Sequence, residues 1–306
     1  MGVEVRAQQA AMAPQVSAYV PCCNAEAWIG RVLEGVLSQT VKLAEVIVVD
    51  DGSRDRSAEI ASGYPVRVIR HEKNRGLAAA RNTAMQAVQS ELVAAVDSDV
   101  VPERDWLERL APHFSEGKVA LGGGKLVESV DRTLADRWRA VHLQQHWGDT
   151  PVVNPAFVFG ANTVARRSAV LEAGGYDERL RTNGEDSDLS RRLRERGCDT
   201  FYEPAAVCRH LREDTVESAL TTFWRYRRDF YTAMTPAKVW RQFRYQHVGS
   251  ARCVLKEDLR AGRYEFLGMD ALLVAASCWN DVKVWRAQAA ERGETRGAAP
   301  SREVTS

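Results

Sequence analysis

The chain lacks the sequence features of several large protein classes. Its 306 residues include six cysteines without any Cys-x-x-Cys spacing, and the adjacent Cys22 and Cys23 have poor geometry for a shared disulfide. The first fifteen residues contain no apolar signal-peptide core, and the longest apolar stretch near the C-terminus, 271–279, is too short to span a bilayer. These absences predict reduced thiols in a cytoplasmic protein that is neither secreted nor inserted into a membrane.

An excess of charge of one sign is also absent. The 42 lysines and arginines nearly balance the 41 aspartates and glutamates, and a formal net charge of +1 argues against nucleic acid as a bulk partner. The composition, 45% hydrophobic and 27% charged, is that of an ordinary soluble enzyme. The length fits one large domain, or one domain with an appendage.

Two common phosphate-binding motifs are missing. No Gly-x-Gly-x-x-Gly follows the first apolar run, and no Gly-x-x-x-x-Gly-Lys-Ser/Thr occurs anywhere, which disfavours hydride transfer and P-loop chemistry. Gly122, Gly123 and Gly124 precede a β-type run instead of a helix. We therefore expect a bend or a close backbone approach to a ligand there, not a phosphate loop.

The N-terminal half shows apolar β-type runs that alternate with segments of helical periodicity. Strands are predicted at 16–20, 44–50, 66–70 and 92–96. Helices are predicted at about 28–37, from 53 or 55 to 61, and at 77–89. This alternation predicts a parallel, Rossmann-like sheet. The runs that end at Asp50 and Val96 are almost entirely apolar, as expected for strands covered on both faces.

Two of these strands end in paired carboxylates, where open α/β sheets place their ligand-binding loops. Asp50 and Asp51 follow one strand, and Asp97 and Asp99 follow another. In an extended backbone Asp97 and Asp99 would share a face, and their oxygens would suit Mg²⁺ or Mn²⁺. Alternatively, one of them caps a helix beginning near Pro102. The Asp-x-Asp pattern alone leaves both interpretations open.

The order of motifs along the chain resembles the inverting family 2 glycosyltransferases of the GT-A fold. The motifs are Val20-Pro21-Cys22-Cys23-Asn24, Val49-Asp50-Asp51-Gly52-Ser53, Asn74-Arg75-Gly76-Leu77 with Ala80-Arg81-Asn82, Asp97-Ser98-Asp99, Gly174-Gly175-Tyr176-Asp177 and Gly184-Glu185-Asp186-Ser187-Asp188-Leu189. The resemblance spans about 16–231. It implies an α/β fold of the GT-A type, a Rossmann-like mixed sheet flanked by helices, with a helical C-terminal extension.

The resemblance also implies a nucleotide-sugar site. Its donor-binding residues are Pro21, Asn24, Asp50, Asp51, Arg81, Asp97 and Ser98. Asp50 and Asp51 would contact the nucleobase, and an ionised carboxylate can accept a hydrogen bond from uracil N3. Arg81 would pair with a phosphate, unless it is a surface helix residue, and Asp97 would face the ribose.

A metal ligand and a general base follow from the same resemblance. Asp99 would bind the Mn²⁺ or Mg²⁺ that bridges the two phosphates. His210 is a candidate further ligand, although a lone histidine is more often structural. Asp186 would remove the proton from the acceptor hydroxyl; the alternative is that Glu185 or Asp186 only caps a helix.

Aromatic residues in the second half leave more than one interpretation open. Phe157 and Phe159 line a donor or acceptor pocket, or belong to a buried strand. Segments 215–231 and 239–245 interleave aromatic residues with arginine, which fits a peripheral membrane surface or helix packing on the core or between subunits. Processive members of the family that the chain resembles carry a Gln-x-x-Arg-Trp motif at a related place, and its absence here disfavours a polymerising synthase.

We therefore predict a flexible N-terminus (1–13), a GT-A domain (14–235), a helical extension (236–288) and a disordered tail (289–306). The predicted function is metal-dependent transfer of one sugar, from a UDP-sugar by preference, to a carbohydrate or lipid-linked acceptor with inversion, in the biosynthesis of cell-surface polysaccharide, glycolipid or glycoconjugate. The alternatives are a non-catalytic nucleotide-sugar-binding module and a sugar nucleotidyltransferase, which would need a glycine-rich basic loop that 21–24 does not provide. The expected location is the cytoplasm, and peripheral contact with the inner face of the membrane is one of the interpretations left open for segments 215–231 and 239–245.

Overall fold

The computed structural model describes residues 15–115, 117–180, 183–228 and 234–297, with side chains described to residue 290 in the last helix. The predicted flexible N-terminus and residues 298–306 of the predicted tail lie outside this part of the chain. The strands are β1 (Val16–Cys22), β2 (Val46–Asp50), β3 (Arg67–Arg70), β4 (Leu92–Val96), β5 (Val100–Pro102), β6 (Val119–Glu128), β7 (Val152–Val153), β8 (Asn162–Arg166) and β9 (Asp199–His210).

Eleven α-helices occur among the described residues. They are α1 (Ile29–Leu37), α2 (Ser57–Ser62), α3 (Leu77–Ala87), α4 (Trp106–Leu110), α5 (Leu134–His142), α6 (Arg167–Glu172), α7 (Glu185–Glu195), α8 (Val216–Arg227), α9 (Pro236–Arg241), α10 (Val248–Ala261) and α11 (Leu267–Gly297). A π-helical stretch, Gln242–His247, joins α9 to α10. Helix α11 extends to Gly297, into the segment predicted as a tail.

The strands form one mixed sheet in the order β3-β2-β1-β4-β8-β6-β9-β5, with β7 paired to β9. Strands β1 to β4 are parallel to their neighbours within this group, and β8 is antiparallel to both β4 and β6. The predicted parallel half of the sheet is confirmed.

Helix α2 begins later than predicted, at Ser57. The Asp55 carboxylate accepts a hydrogen bond from Ser57 N (3.0 Å) and holds the preceding residues in a turn.

The core lies on both faces of this sheet. Val48 belongs to one buried cluster, and its neighbours Ile47 and Val49 belong to the cluster on the opposite face. All five residues of β2 and all five of β4 are buried. Because both faces are covered, polar alternation is lost, which explains the continuous apolar runs in the sequence.

The three consecutive glycines lie inside β6. A Cβ on Gly124 would lie 2.0 Å from the backbone oxygen of Ala206, and one on Gly123 would lie 2.4 Å from Val158 Cγ1. The close backbone approach predicted for this run therefore exists, but the partner is the protein itself and not a ligand.

The chain forms two compact units, one of 1–126 and 145–209, the other of 127–144 and 210–306. Unit 1 contains most of the sheet. Unit 2 has its own core, in which Trp138 of α5, Phe223 of α8 and Leu273 of α11 are buried. Thus α5 and α8, which precede the predicted boundary at 235, belong to the helical unit. No described helix is long and apolar enough to cross a membrane.

Substitution of Gly124 by alanine is expected to destabilise unit 1 by about 2–3 kcal/mol, because the added methyl group meets a backbone oxygen that cannot move alone. Gly249→Ala is the matched control, since its Cβ meets nothing within 4 Å and alanine favours the helix there. Urea denaturation of both variants and of wild type measures the change in the free energy of unfolding. Equal stabilities would contradict the packing role of Gly124.

Candidate active site

A cavity of about 260 Å³ lies at the carboxyl ends of β1, β2 and β4 in unit 1. It is lined by Pro21, Cys22, Cys23, Asp51, Asn74, Gly76, Leu77, Ala80, Asp97, Ser98 and Asp99. A second cavity, of about 590 Å³, shares Cys23 and Asn74 with the first and is lined in addition by Asn24 and by parts of 52–54 and 70–73. The structure thus brings five predicted site residues to one cavity and a sixth, Asn24, to the other.

The Asp97-Ser98-Asp99 segment is a tight turn and not an extended strand. Val100 N donates a hydrogen bond to the Asp97 carbonyl (3.0 Å), and the short strand β5 follows. Neither predicted geometry is therefore correct: the backbone is not extended, and no helix begins near Pro102 for an aspartate to cap. The turn itself brings the two carboxylates to one cavity.

Asp50 is completely buried at the end of β2. Its Oδ1 accepts a hydrogen bond from Ser53 N (3.1 Å), and its Oδ2 lies 3.0 Å from Arg70 Nε. The carboxylate therefore closes its own turn and ties it to the end of β3. Its predicted contact with a nucleobase stays a prediction.

Asp51 organises the loop that follows β3. Its carboxylate accepts hydrogen bonds from the backbone N–H groups of Arg75 and Gly76 (both 2.8 Å) and lies 2.7 Å from His71 Nδ1. On the other side of the imidazole, His71 Nε2 lies 2.9 Å from Thr83 Oγ1. This Asp51–His71 pair was not predicted from the sequence, and it fixes the loop that lines both cavities.

Arg81 is buried and occupies the centre of the site. Its guanidinium donates to Glu185 Oε1 (2.9 Å), Asp97 Oδ1 (3.0 Å) and the Gly160 carbonyl (3.0 Å). The interpretation of Arg81 as a surface residue is wrong, because only 2% of its side chain is exposed. The guanidinium positions these three acceptors, and its predicted contact with a phosphate stays a prediction.

The charges around Arg81 stabilise its cationic form. Burial alone would lower the pKa of the guanidinium, but Asp97 and Glu185 outweigh burial and hold that pKa well above its ordinary value. Removing either carboxylate would leave a buried cation with too few counter-charges, which is strongly unfavourable.

Glu185 is a residue that sequence reasoning considered only as a helix cap. Burial, with a smaller effect of the nearby Asp186, raises the pKa of its carboxyl group to about 7 against the lowering effect of Arg81. Its Oε2 is buried without a hydrogen-bond partner among the described residues. An acidic residue next to Asp186 was visible in the sequence, but its pairing with Arg81, 104 positions away, was not.

Asp186 lies half-buried in the first turn of α7. Its Oδ2 accepts a hydrogen bond from Gly160 N (3.0 Å), and its Oδ1 accepts one from Ser187 N (2.7 Å). The N-cap of α7 is Gly184 and no side chain caps the helix, so neither Glu185 nor Asp186 is the capping residue. Asp186 accepts from one N–H of the first turn and also reaches across to the 157–161 segment.

Gly160 connects the buried arginine to Asp186. Its carbonyl accepts from Arg81 and its N–H donates to Asp186. A Cβ at this position would lie 2.4 Å from Arg81 Nη1, so only glycine leaves room for the guanidinium. Arg81 and Gly160 together thereby fix the positions of Asp97, Glu185 and Asp186 relative to one another.

Three aromatic rings form a cluster beside this connection. Trp147, Phe157 and Phe159 are half-buried, and their ring centroids lie 4.8–5.6 Å apart. Trp147 Nε1 donates to the Phe157 carbonyl (2.8 Å). The two phenylalanines lie in a loop that precedes β8, so their interpretation as part of a buried strand is wrong. Trp147 was not identified from the sequence.

His210 is buried at the end of β9, in unit 2. Its Nδ1 lies 2.8 Å from Glu128 Oε2, and Glu128 in turn accepts from Arg139 Nε (3.0 Å). Burial would raise the pKa of Glu128, but His210 and Arg139 hold it below its ordinary value. An ionised carboxylate on one ring nitrogen orients an imidazole in the way seen for metal ligands, although it serves a structural histidine equally well. The metal role of His210 stays a prediction.

The residues of the turn fit a divalent cation. The Asp97 and Asp99 carboxylates and the Ser98 segment line one polar cavity, and Mg²⁺ and Mn²⁺ prefer such oxygen ligands. Another group, His142, Asp258 and Asp270 in unit 2, has ligand atoms within 4.8 Å of one another. There Asp258 already pairs with Arg263 (2.6 Å), so this group is better described as an ion-pair network.

The sequence model of the family described as "Glycosyl transferase family 2" matches residues 17–172. The chain belongs to this family. Both the predicted family and the predicted GT-A fold are thereby confirmed, the fold also by the solved structures described below.

Similar proteins cover only parts of this chain. The pre-mycofactocin glycosyltransferase of Mycobacterium tuberculosis is 38% identical over 174 residues, which are 54% of this chain and 37% of that protein. The uncharacterized glycosyltransferase EpsJ of Bacillus subtilis is 36% identical over 127 residues, 40% of this chain and 37% of that protein. The chain thus matches less than two fifths of the length of these relatives.

Solved structures share the fold at low identity. GalNAc-T7 with UDP, GalNAc and Mn²⁺ has a TM-score of 0.54 and 18% identity, covering 69% of this chain and 47% of that one. The mannosyltransferase PcManGT from Pyrobaculum calidifontis, in complex with GDP-Man and Mn²⁺, has a TM-score of 0.51 and 18% identity, covering 94% and 76%. At this identity the similarity concerns the GT-A fold.

The raised pKa of Glu185 predicts a specific pH dependence of stability. Between its ordinary pKa of 4.5 and about 7 the folded chain holds a proton that the unfolded chain has lost. The free energy of unfolding therefore falls as pH rises through this window, by up to about 3 kcal/mol from this group. Glu185→Gln should remove that contribution.

Urea denaturation at several pH values between 4.5 and 8 tests this. Glu172→Gln is the control, since Glu172 is exposed and should leave the wild-type slope unchanged. The same pH slope in Glu185→Gln and in wild type would contradict the assigned pKa.

Proposed function

We propose that the chain transfers a single sugar from a nucleoside diphosphate-sugar, by preference a UDP-sugar, to an acceptor hydroxyl with inversion at the anomeric carbon. The observation that carries the proposal is the connection from the Asp97-Ser98-Asp99 cavity through Arg81 and Gly160 to Asp186. These hydrogen bonds support the proposal because they join the turn that would hold the cation to the residue that would act as the base.

The donor would occupy the two connected cavities. Asp97 is the candidate ribose contact, and the loop held by Asp51 and His71 is the candidate nucleobase wall. Pro21, Asn24 and Ser98 complete the proposed donor site. The Asp51 carboxylate accepts hydrogen bonds from two backbone N–H groups, so Asp51 shapes this wall in addition to its proposed contact with the base.

Asp99 would hold a Mn²⁺ or Mg²⁺ ion. Such an ion supplies Lewis-acid neutralisation of the charge that develops on the departing nucleoside diphosphate. The chain's own contribution is to fix the turn through the hydrogen bond from Asp97 N to the Ala161 carbonyl (3.0 Å) and through Arg81.

Asp186 would act as the general base. The Asp186 carboxylate accepts the proton of the acceptor hydroxyl while that oxygen forms a bond to the anomeric carbon and the bond to the diphosphate oxygen breaks. One displacement of this kind inverts the configuration. The hydrogen bond from Gly160 N orients the carboxylate for this step.

The proposed acceptor is a carbohydrate or a lipid-linked sugar. The aromatic cluster of Trp147, Phe157 and Phe159 supports this, because its half-buried rings adjoin Gly160 and offer apolar faces on which a sugar ring can pack. The proposed setting is cell-surface polysaccharide, glycolipid or glycoconjugate biosynthesis, in the cytoplasm at the inner face of the membrane.

Asp186→Asn is expected to lower turnover by about 10²–10⁴-fold and to change donor affinity by less than about threefold, because the amide keeps the shape but not the basicity. Transfer assays and donor titration measure the two quantities. Ser187→Ala, at the exposed neighbouring position, is the control and should behave as wild type. Turnover above about a tenth of wild type in Asp186→Asn would exclude the assignment.

The metal and donor are tested by release of nucleoside diphosphate from UDP-, GDP- and dTDP-sugars with Mn²⁺, Mg²⁺ or EDTA. We expect release from one donor class, loss with EDTA, and loss in Asp99→Ala but not in Asp131→Ala, a matched change at an exposed position. Donor binding without release from any donor, in the presence of sugar and lipid-linked acceptors, would favour a binding module.

A further inference from the structure

Positive charge is concentrated in one helical segment of unit 2. Residues 236–263, from α9 through α10, contain seven lysines and arginines and two acidic residues, a formal charge of +5. The whole chain carries +1, so all other residues together carry −4. A nearly neutral chain thus has a strongly basic segment.

One face of α10 combines these charges with apolar side chains. The positions at helical spacing are Arg252, Leu255, Lys256, Leu259 and Arg260, which we call the basic face. All five are exposed, and Leu255 and Leu259 are exposed to 37% and 45%. The opposite side of α10 carries Ala251 and Val254, which are buried in the core of unit 2.

The three cations of the basic face are not neutralised by the protein. Within the described part of the chain, Arg252, Lys256 and Arg260 form no ion pair. By contrast, Arg263 just beyond α10 pairs with both Glu257 and Asp258. The charge of the basic face is therefore available to an external anion.

Two large aromatic side chains precede the basic face. Trp240 is 62% exposed and Tyr245 is 70% exposed, and Arg241 and Arg244 are exposed beside them. Tryptophan and tyrosine are enriched where water meets a bilayer, because an apolar ring and a polar group suit both environments.

We infer that the basic face of α10, together with Trp240 and Tyr245, binds the surface of an anionic lipid bilayer. Cations supply the attraction to acidic headgroups, and the interleaved leucines and aromatic rings enter the headgroup region. A purely electrostatic partner such as nucleic acid would leave Leu255 and Leu259 without a contact. The inference rests on the proposed function only in that a bilayer would present a lipid-linked acceptor to the enzyme.

The test is co-sedimentation of the full chain with vesicles of phosphatidylcholine alone or with 30% phosphatidylglycerol. We expect at least tenfold tighter binding to the anionic vesicles, weakened by salt. The triple variant Arg252→Glu, Lys256→Glu, Arg260→Glu should bind the anionic vesicles at least tenfold more weakly than wild type. The matched control is Lys42→Glu, Arg104→Glu, Lys118→Glu, which has the same charge change at exposed positions of unit 1 and should stay within twofold of wild type.

A second variant separates insertion from charge. Trp240→Ala with Tyr245→Ala should weaken vesicle binding by at least threefold, including at high salt where electrostatic attraction is screened. Circular dichroism establishes that each variant is folded.

Equal binding of wild type to both vesicle types, or equal loss in the basic-face and control variants, would overturn the inference. So would tighter binding of wild type to a single-stranded oligonucleotide than to the anionic vesicles at the same salt concentration. Donor release measured without vesicles keeps the two proposals apart. The basic-face variant should release nucleoside diphosphate as wild type does, and Asp186→Asn should still bind vesicles.

Discussion

The site in unit 1 depends on one buried cation. A guanidinium without water is tolerated only when anionic acceptors surround it, and Arg81 has two carboxylates and a carbonyl. These acceptors belong to the turn after β4, the loop before β8 and the start of α7. The requirement to neutralise Arg81 therefore sets the relative positions of three segments that the sequence separates widely, and with them the positions of Asp97 and Asp186.

Carboxylates in this site divide into two groups by their surroundings. Asp50 and Asp51 are buried and accept hydrogen bonds from nearby backbone N–H groups, so they shape the loops around the cavities. Asp97, Asp99 and Asp186 are only partly buried. Asp97 and Asp186 also accept protein hydrogen bonds, but all three carboxylates of this second group keep an exposed part that a ligand can reach, whereas Asp50 and Asp51 are buried. This difference favours Asp97, Asp99 and Asp186 as the residues that meet substrate and cation.

The sequence predicted what local patterns encode. Apolar periodicity was sufficient for β1 to β4 and their helices, and the ordered motifs were sufficient for the family and the GT-A fold. The sequence alone could not show that the Arg81 side chain is buried or which groups it contacts. Its partners Gly160 and Glu185 lie 79 and 104 positions away, and nothing local distinguishes a buried arginine from an exposed one. Trp147 and the shared core of α5 and α8 with α11 were missed for the same reason, since each depends on contacts made only after folding.

The basic surface of unit 2 has a physical origin in its interior. Asp258, Asp270 and Asp281 are at most 2% exposed. Asp270 and Asp281, on α11, accept the indole N–H groups of Trp138 and Trp224 at 3.0 and 2.7 Å. Acidic side chains are thus used inside the helical unit as cross-links, and the cations of α10 remain outside without counter-charges. An inward placement of acids in a nearly neutral chain produces a positive exterior, which is why net charge alone did not reveal it.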